Sequence, residues 1–139
     1  MKASGSLPKY MVLFILVAGL GVWAWQYVGS KGNAVGVKVP ALSTTAMNGK
    51  AAYDANCGTC HGLNASGSDK GPPLVHDLYN PGHHSDEAFF VAAKLGARRH
   101  HWPYGDMPPQ PQVTDRQLMA IVQYVRELQR ANGIGYRPH

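Results

Sequence analysis

Cys57-Gly58-Thr59-Cys60-His61 places two thiols three residues apart and an imidazole directly after the second. C-x-x-C-H is the pattern of covalent haem attachment. The spacing has a physical reason: each thiol can add to one vinyl group of a haem, and the adjacent His61 can then set its imidazole on the iron. The 139-residue chain has no other cysteine, so no disulfide framework is available. Two rival chemistries use similar residues. A redox dithiol of the thioredoxin kind requires a βαβ context, and the flanking sequence has no strand pattern. A zinc site requires further ligands, and His76, His83, His84, His100 and His101 could supply them.

Upstream of the motif, Tyr10–Ser30 carries no charge over 21 residues. As a helix this run would be roughly 31 Å long, matching a bilayer core of about 30 Å. Lys2 and Lys9 precede it, and Trp23, Trp25 and Tyr27 lie near its far end, where an aromatic belt belongs. The expected organisation is a cytoplasmic stub at 1–9, a single transmembrane anchor at 10–30, a flexible Gly/Pro/Ser-containing linker at 31–45 and an exported domain at 46–139. A cleaved signal peptide would export the same domain. However, no small-residue cleavage site follows the apolar run, and bulky aromatics occupy its end. From residue 39 onward nine Lys/Arg face eight Asp/Glu, so all but one unit of the formal charge of +5 resides around the apolar block, on Lys2, Lys9, Lys31 and Lys38. It is no nucleic-acid footprint.

The exported part reads as all-α. Ala46–Asn56 is a short helix candidate. Ser85 is an N-cap before Asp86 and Glu87, opening a helix that stops at Gly96. Thr114 and Gln117 form a capping box ahead of Leu118, Ile121, Val122, Val125 and Leu128, one apolar face at helical spacing. Glycine and proline crowd the loops, notably Gly71-Pro72-Pro73 and Met107-Pro108-Pro109. A domain this small has a thin core and commonly relies on a metal, disulfide or cofactor.

These segments together resemble a class I cytochrome c. Gly49 and Tyr53 stand before Cys57 as the family's glycine and aromatic do on its first helix. Gly71-Pro72-Pro73-Leu74 resembles its G-P-x-L loop. Gly105-Asp106-Met107-Pro108 resembles the loop bearing its axial methionine, and Ile121 and Tyr124 match a pair on its last helix. The resemblance implies a fold of a few helices around one haem c, with the first and last helices crossing near Gly49. It implies covalent attachment through Cys57 and Cys60. It further implies His61 and Met107 on the iron, with the carbonyl of Pro72 accepting a hydrogen bond from His61. His100 or His101 is the alternative sixth ligand.

The run Arg98-Arg99-His100-His101-Trp102-Pro103-Tyr104 departs from the small soluble members. Haem propionates need donors when partly buried, and Arg98, Trp102 and Tyr104 offer them. The pairs His83-His84 and His100-His101 form a second set of imidazoles, although adjacent histidines in a loop often point apart.

The expected function is electron transfer between redox protein complexes on the periplasmic side of a bacterial plasma membrane. With both axial positions filled, no small-molecule substrate and no enzymatic step is expected. The alternative is a haem-bearing subunit of a larger oxidoreductase, or a peroxidase or sensor with a labile sixth ligand.

Overall fold

A computed structural model describes residues 7–29 and 34–138. The chain divides into two units, 1–31 and 32–139. The first holds one helix, α1, Leu7–Gly29. Its apolar side chains from Tyr10 to Leu16 are all more than half exposed, as are Leu20 and Trp23. Side chains are described only for residues 10–23 of this helix, and among the described residues no helix is long and apolar enough to cross a membrane. Residues 1–6 of the expected stub and 30–33 of the anchor and linker lie outside the described residues. So do the side chains of Trp25 and Tyr27.

The second unit is all-α: α2 Thr44–Asn56, α3 Gly58–His61, α4 Asp86–Leu95 and α5 Asp115–Ala131, with 3₁₀ turns at Leu63–Ala65 and Asp77–Tyr79. Each long helix starts where its sequence supplies an acceptor. The side chains of Ser43, Ser85 and Thr114 accept from the backbone N–H three residues on, and Thr114 with Gln117 completes a capping box. No strand occurs among the described residues; Ala97 and Met107 make an isolated antiparallel bridge.

The segment expected as a flexible linker departs from that expectation over residues 34–43. The Val35 N–H donates to Ser66 O at 2.8 Å. Lys38 exchanges two hydrogen bonds with the Asn132 side chain, and Ser43 donates twice to the Glu127 carboxylate. Val37 and Leu42 pack against the core. An extended chain whose amides find partners on the domain forms a strap, and the glycines that suggested a coil cost it little. The strap also moves the start of α2 two residues earlier than expected, because Ser43 is the cap.

The core lies where α2 crosses α5. A Cβ at Gly49 would stand 1.9 Å from the carbonyl oxygen of Ala120, so only glycine lets the two backbones meet. One turn further on, Tyr53 and Tyr124 pack with ring centroids 5.5 Å apart, both fully buried. Leu118, Ile121, Val125 and Leu128 complete this face, with Val113 and Ile134 closing its ends.

Gly49→Ala is therefore expected to destabilise the domain by roughly 1–3 kcal/mol through overpacking, despite a helix propensity about 1 kcal/mol better for alanine. Denaturant melting followed by circular dichroism checks this. A variant as stable as the parent would put the crossing elsewhere.

Candidate functional site

The crossing of α2 and α5 fixes the turn that carries the cysteines. The Tyr53 hydroxyl donates to Gly62 O at 3.0 Å, and the Tyr124 hydroxyl donates to Asn64 Oδ1 at 3.1 Å. Burial pushes the Tyr124 hydroxyl up to about 12 and Tyr53 still higher, so both remain donors. The loop then folds back on itself: Gly67 N–H donates to His61 O at 2.7 Å, and Leu74 N–H donates to Ala65 O at 2.9 Å. Gly62, with φ +75°, has its Cβ direction occupied by the carbonyl of Gly67, so a side chain there would prise the loop open.

This turn forms one wall of an open cleft with about 980 Å³ of space, its mouth included. Cys57, between α2 and α3, and His61, on α3, line it, with Pro72 and Leu74 from the following loop. Phe89, Ala92 and Ala93 come from α4, and Leu118, Ile121 and Val122 from α5. Another wall is the segment from Ala97 to Met107, including Arg98, Trp102, Tyr104 and Met107. Cys60 lies outside the lining and is exposed, whereas Cys57 is half-buried. Burial, and then the neighbouring Cys60, push the Cys57 thiol up to about 11, so it is held as the neutral thiol.

His61 is buried, and its Nδ1 lies 2.9 Å from the carbonyl oxygen of Pro72. The carbonyl can only accept, so Nδ1 carries the proton and Nε2 keeps its lone pair. Desolvation holds the imidazole below its usual range, with the Pro72 carbonyl opposing in part, and this keeps the ring neutral. Met107 is half-buried on the other wall, and its backbone exchanges both ladder bonds with Ala97, at 2.8 and 3.0 Å.

Trp102 Nε1 is buried with no acceptor in hydrogen-bonding geometry. It is close enough to the Tyr79 hydroxyl to pull that group down against the rise that burial causes. The indole packs edge-on against His76 and leans on Tyr104, with centroids 5.1 and 6.3 Å away. Arg98 and its neighbour Arg99 are exposed at the rim, with the Arg99 N–H donating to Asp106 Oδ1 at 2.9 Å.

The donor set fits a haem. A neutral imidazole with a free Nε2, a soft thioether, a thiol on one edge and an unsatisfied indole N–H on another surround a mostly apolar slot. A family model for cytochrome c matches residues 46–129, more than half of the chain. The chain belongs to the cytochrome c family. No curated protein and no solved structure matches it. Members carry covalently bound haem c with its iron, and in this cytochrome c Cys57 and Cys60 are the cysteines available for attachment.

Sequence reasoning missed the residue that anchors the loop bearing Tyr79 and His84, two residues of the cleft lining. Arg126 is 5% exposed. Its guanidinium donates to Asp86 Oδ1 at 2.7 Å, Tyr79 O at 2.8 Å, Gln129 Oε1 at 2.7 Å and His84 O at 2.6 Å. It also lies 4.8 Å from the centre of the Phe89 ring. Gln129 in turn donates to Leu74 O and Tyr79 O. These two residues fix the loop from Leu74 to Asp86 against α5. A signal was present: Val122, Arg126 and Gln129 recur at i, i+4 and i+7, which puts two polar residues on an apolar stripe.

Proposed function

We propose that this cytochrome c carries single electrons between redox protein complexes, with His61 and Met107 as the axial ligands of its haem. The single observation that supports this most is that His61 and Met107, from segments far apart in sequence, line one cleft, the first buried and the second half-buried. When bound, haem supplies the one-electron iron couple; the protein sets potential and access. The Pro72 carbonyl orients the His61 ring. The Ala97–Met107 bridge and Pro108-Pro109 hold the methionine loop, limiting rearrangement as charge changes. A thioether opposite histidine raises the potential. With both axial sites taken, no position is left for a substrate, so the protein is a carrier and not an enzyme.

His100 and His101 also reach the cleft, but both are exposed and occupied with other imidazoles. Their own ring centroids are 4.2 Å apart, and His100 Nδ1 lies 2.7 Å from Arg98 O. This favours Met107. Arg98, Trp102 and Tyr104 serve the propionates, for which the partnerless Trp102 N–H is the strongest support. Exposed Arg98 and Arg99 at the rim suit docking of an acidic redox partner, where rim charge mainly governs association rate.

The uncharged run Tyr10–Ser30 supports a single-pass anchor in a bacterial plasma membrane, with the haem domain on the periplasmic side. Such a tether raises the effective concentration of local partners.

Met107→His is expected to lower the reduction potential markedly and to abolish the weak iron–sulfur charge-transfer band, as read by redox titration and absorption. A parent protein that lacks this band and shows two imidazoles would move the role to His100 or His101. For the anchor, the mature protein should stay in the membrane pellet after alkaline carbonate. An N-terminus starting near Lys31 would instead show a released carrier.

A further inference from the structure

Four histidines gather beside the cleft from two loops: His84, His100 and His101 line it, and His83 packs against His84 and His101. His83 Nε2 and His101 Nε2 are 3.3 Å apart. One metal-binding atom from each of His83, His84 and His101 falls within 4.8 Å of the others. The His83 and His84 rings are 4.6 Å apart, and His101 lies 5.3 and 5.4 Å from them. The neighbouring histidines of this loop therefore face the same way, contrary to the sequence expectation.

We propose that His83, His84 and His101 bind one divalent transition-metal ion of the kind that prefers imidazole, such as zinc or copper(II). Two nitrogens on one tetrahedral zinc, each about 2.0–2.1 Å from it, stand roughly 3.3 Å apart. The His83–His101 pair already has that separation. His84 has a fixed tautomer: its Nδ1 lies 2.9 Å from Leu78 O, so Nδ1 donates and Nε2 is left for a metal. Backing a ligand imidazole with a carbonyl is how metal sites orient their histidines.

The scaffold beneath is held firmly. The His83 and His84 N–H groups both donate to Asn80 O, at 3.0 and 2.9 Å, and His84 O accepts from Arg126. His83 and His84 are half-buried and His101 is exposed, so closing the third ligand asks only for a rotation of a surface side chain. His100 stacks 6.0 Å from His84 and stands outside this set of three, which leaves the fourth position to water. Three imidazoles suit zinc, copper and nickel better than calcium or magnesium, which take oxygen donors. A metal here would clasp the 80–84 loop to the segment leading to Met107.

The test uses the tag-free, full-length, haem-loaded protein in mild detergent, stripped with EDTA and dialysed against zinc chloride. One zinc per haem is expected. His83→Gln and His101→Gln, each checked by its haem spectrum and melting curve, should each weaken uptake. Losing a second-shell partner alone weakens metal sites about 10–100-fold, so losing a ligand should cost at least as much. Copper(II) added to the parent protein should give an electron paramagnetic resonance spectrum with couplings to imidazole nitrogens. Absence of stoichiometric zinc, or uptake that neither substitution weakens, would overturn the site. The haem spectrum of the same sample separates this outcome from failure of the electron-carrier reading, which the metal site does not require.

Discussion

The close crossing of α2 and α5 at Gly49 is the contact from which the rest of the domain is built. With the backbones this near, Tyr53 and Tyr124 meet in the core and their hydroxyls reach the turn at residues 62–64. That turn follows directly on the two cysteines and His61. A side chain at position 49 would overlap the Ala120 carbonyl and force the helices apart, loosening the packing of Tyr53 on Tyr124. The geometry of the haem motif thus depends on a residue eight positions before Cys57.

The domain has two kinds of glue. One side of α5 packs apolar residues against α2, whereas another presents Arg126 and Gln129 to the carbonyls of Leu74, Tyr79 and His84. A loop that must border a cleft cannot donate all its amides and carbonyls to a regular ladder, and a buried guanidinium with its many donors closes that deficit. The partner carboxylate Asp86 is two-thirds exposed, so the carbonyls rather than the ion pair account for most of the stabilisation. The cleft itself removes material from an already small core, and a large apolar prosthetic group replaces it.

Much of this was legible in the sequence. The capping residues Ser85 and Thr114, the stop at Gly96 and the apolar stripe of α5 are local signals, and local signals survive folding. Gly49, Tyr53, Pro72 and Tyr124 were legible through the family resemblance, and the structure places the His61–Pro72 hydrogen bond where that resemblance implies it. Three features were not legible, for related reasons. The strap at 34–43 is ordered by partners far along the chain: the Ser66 carbonyl, and the side chains of Asn132 and Glu127 more than eighty residues away. Three of the four acceptors of Arg126 lie on the 79–86 stretch, at least forty residues before it in the chain. The imidazole cluster joins residues eighteen apart, through a loop whose direction no periodicity encodes. Tertiary contacts decide each of these.

The mouth of the cleft, with its exposed arginines and imidazoles, is where this cytochrome c departs from the apolar and proline-rich interior. A buried neutral His61, a thioether elsewhere in the lining and a cysteine edge form the interior, and they define a slot for one covalently held group. The most direct measurement of that account is a peptide mass map of the purified protein. The proteolytic fragment spanning Cys57–His61 should carry one haem, with neither cysteine free to alkylate and the haem resistant to acid–acetone extraction. A fragment with two free thiols or an internal disulfide, or haem released by extraction, would contradict it.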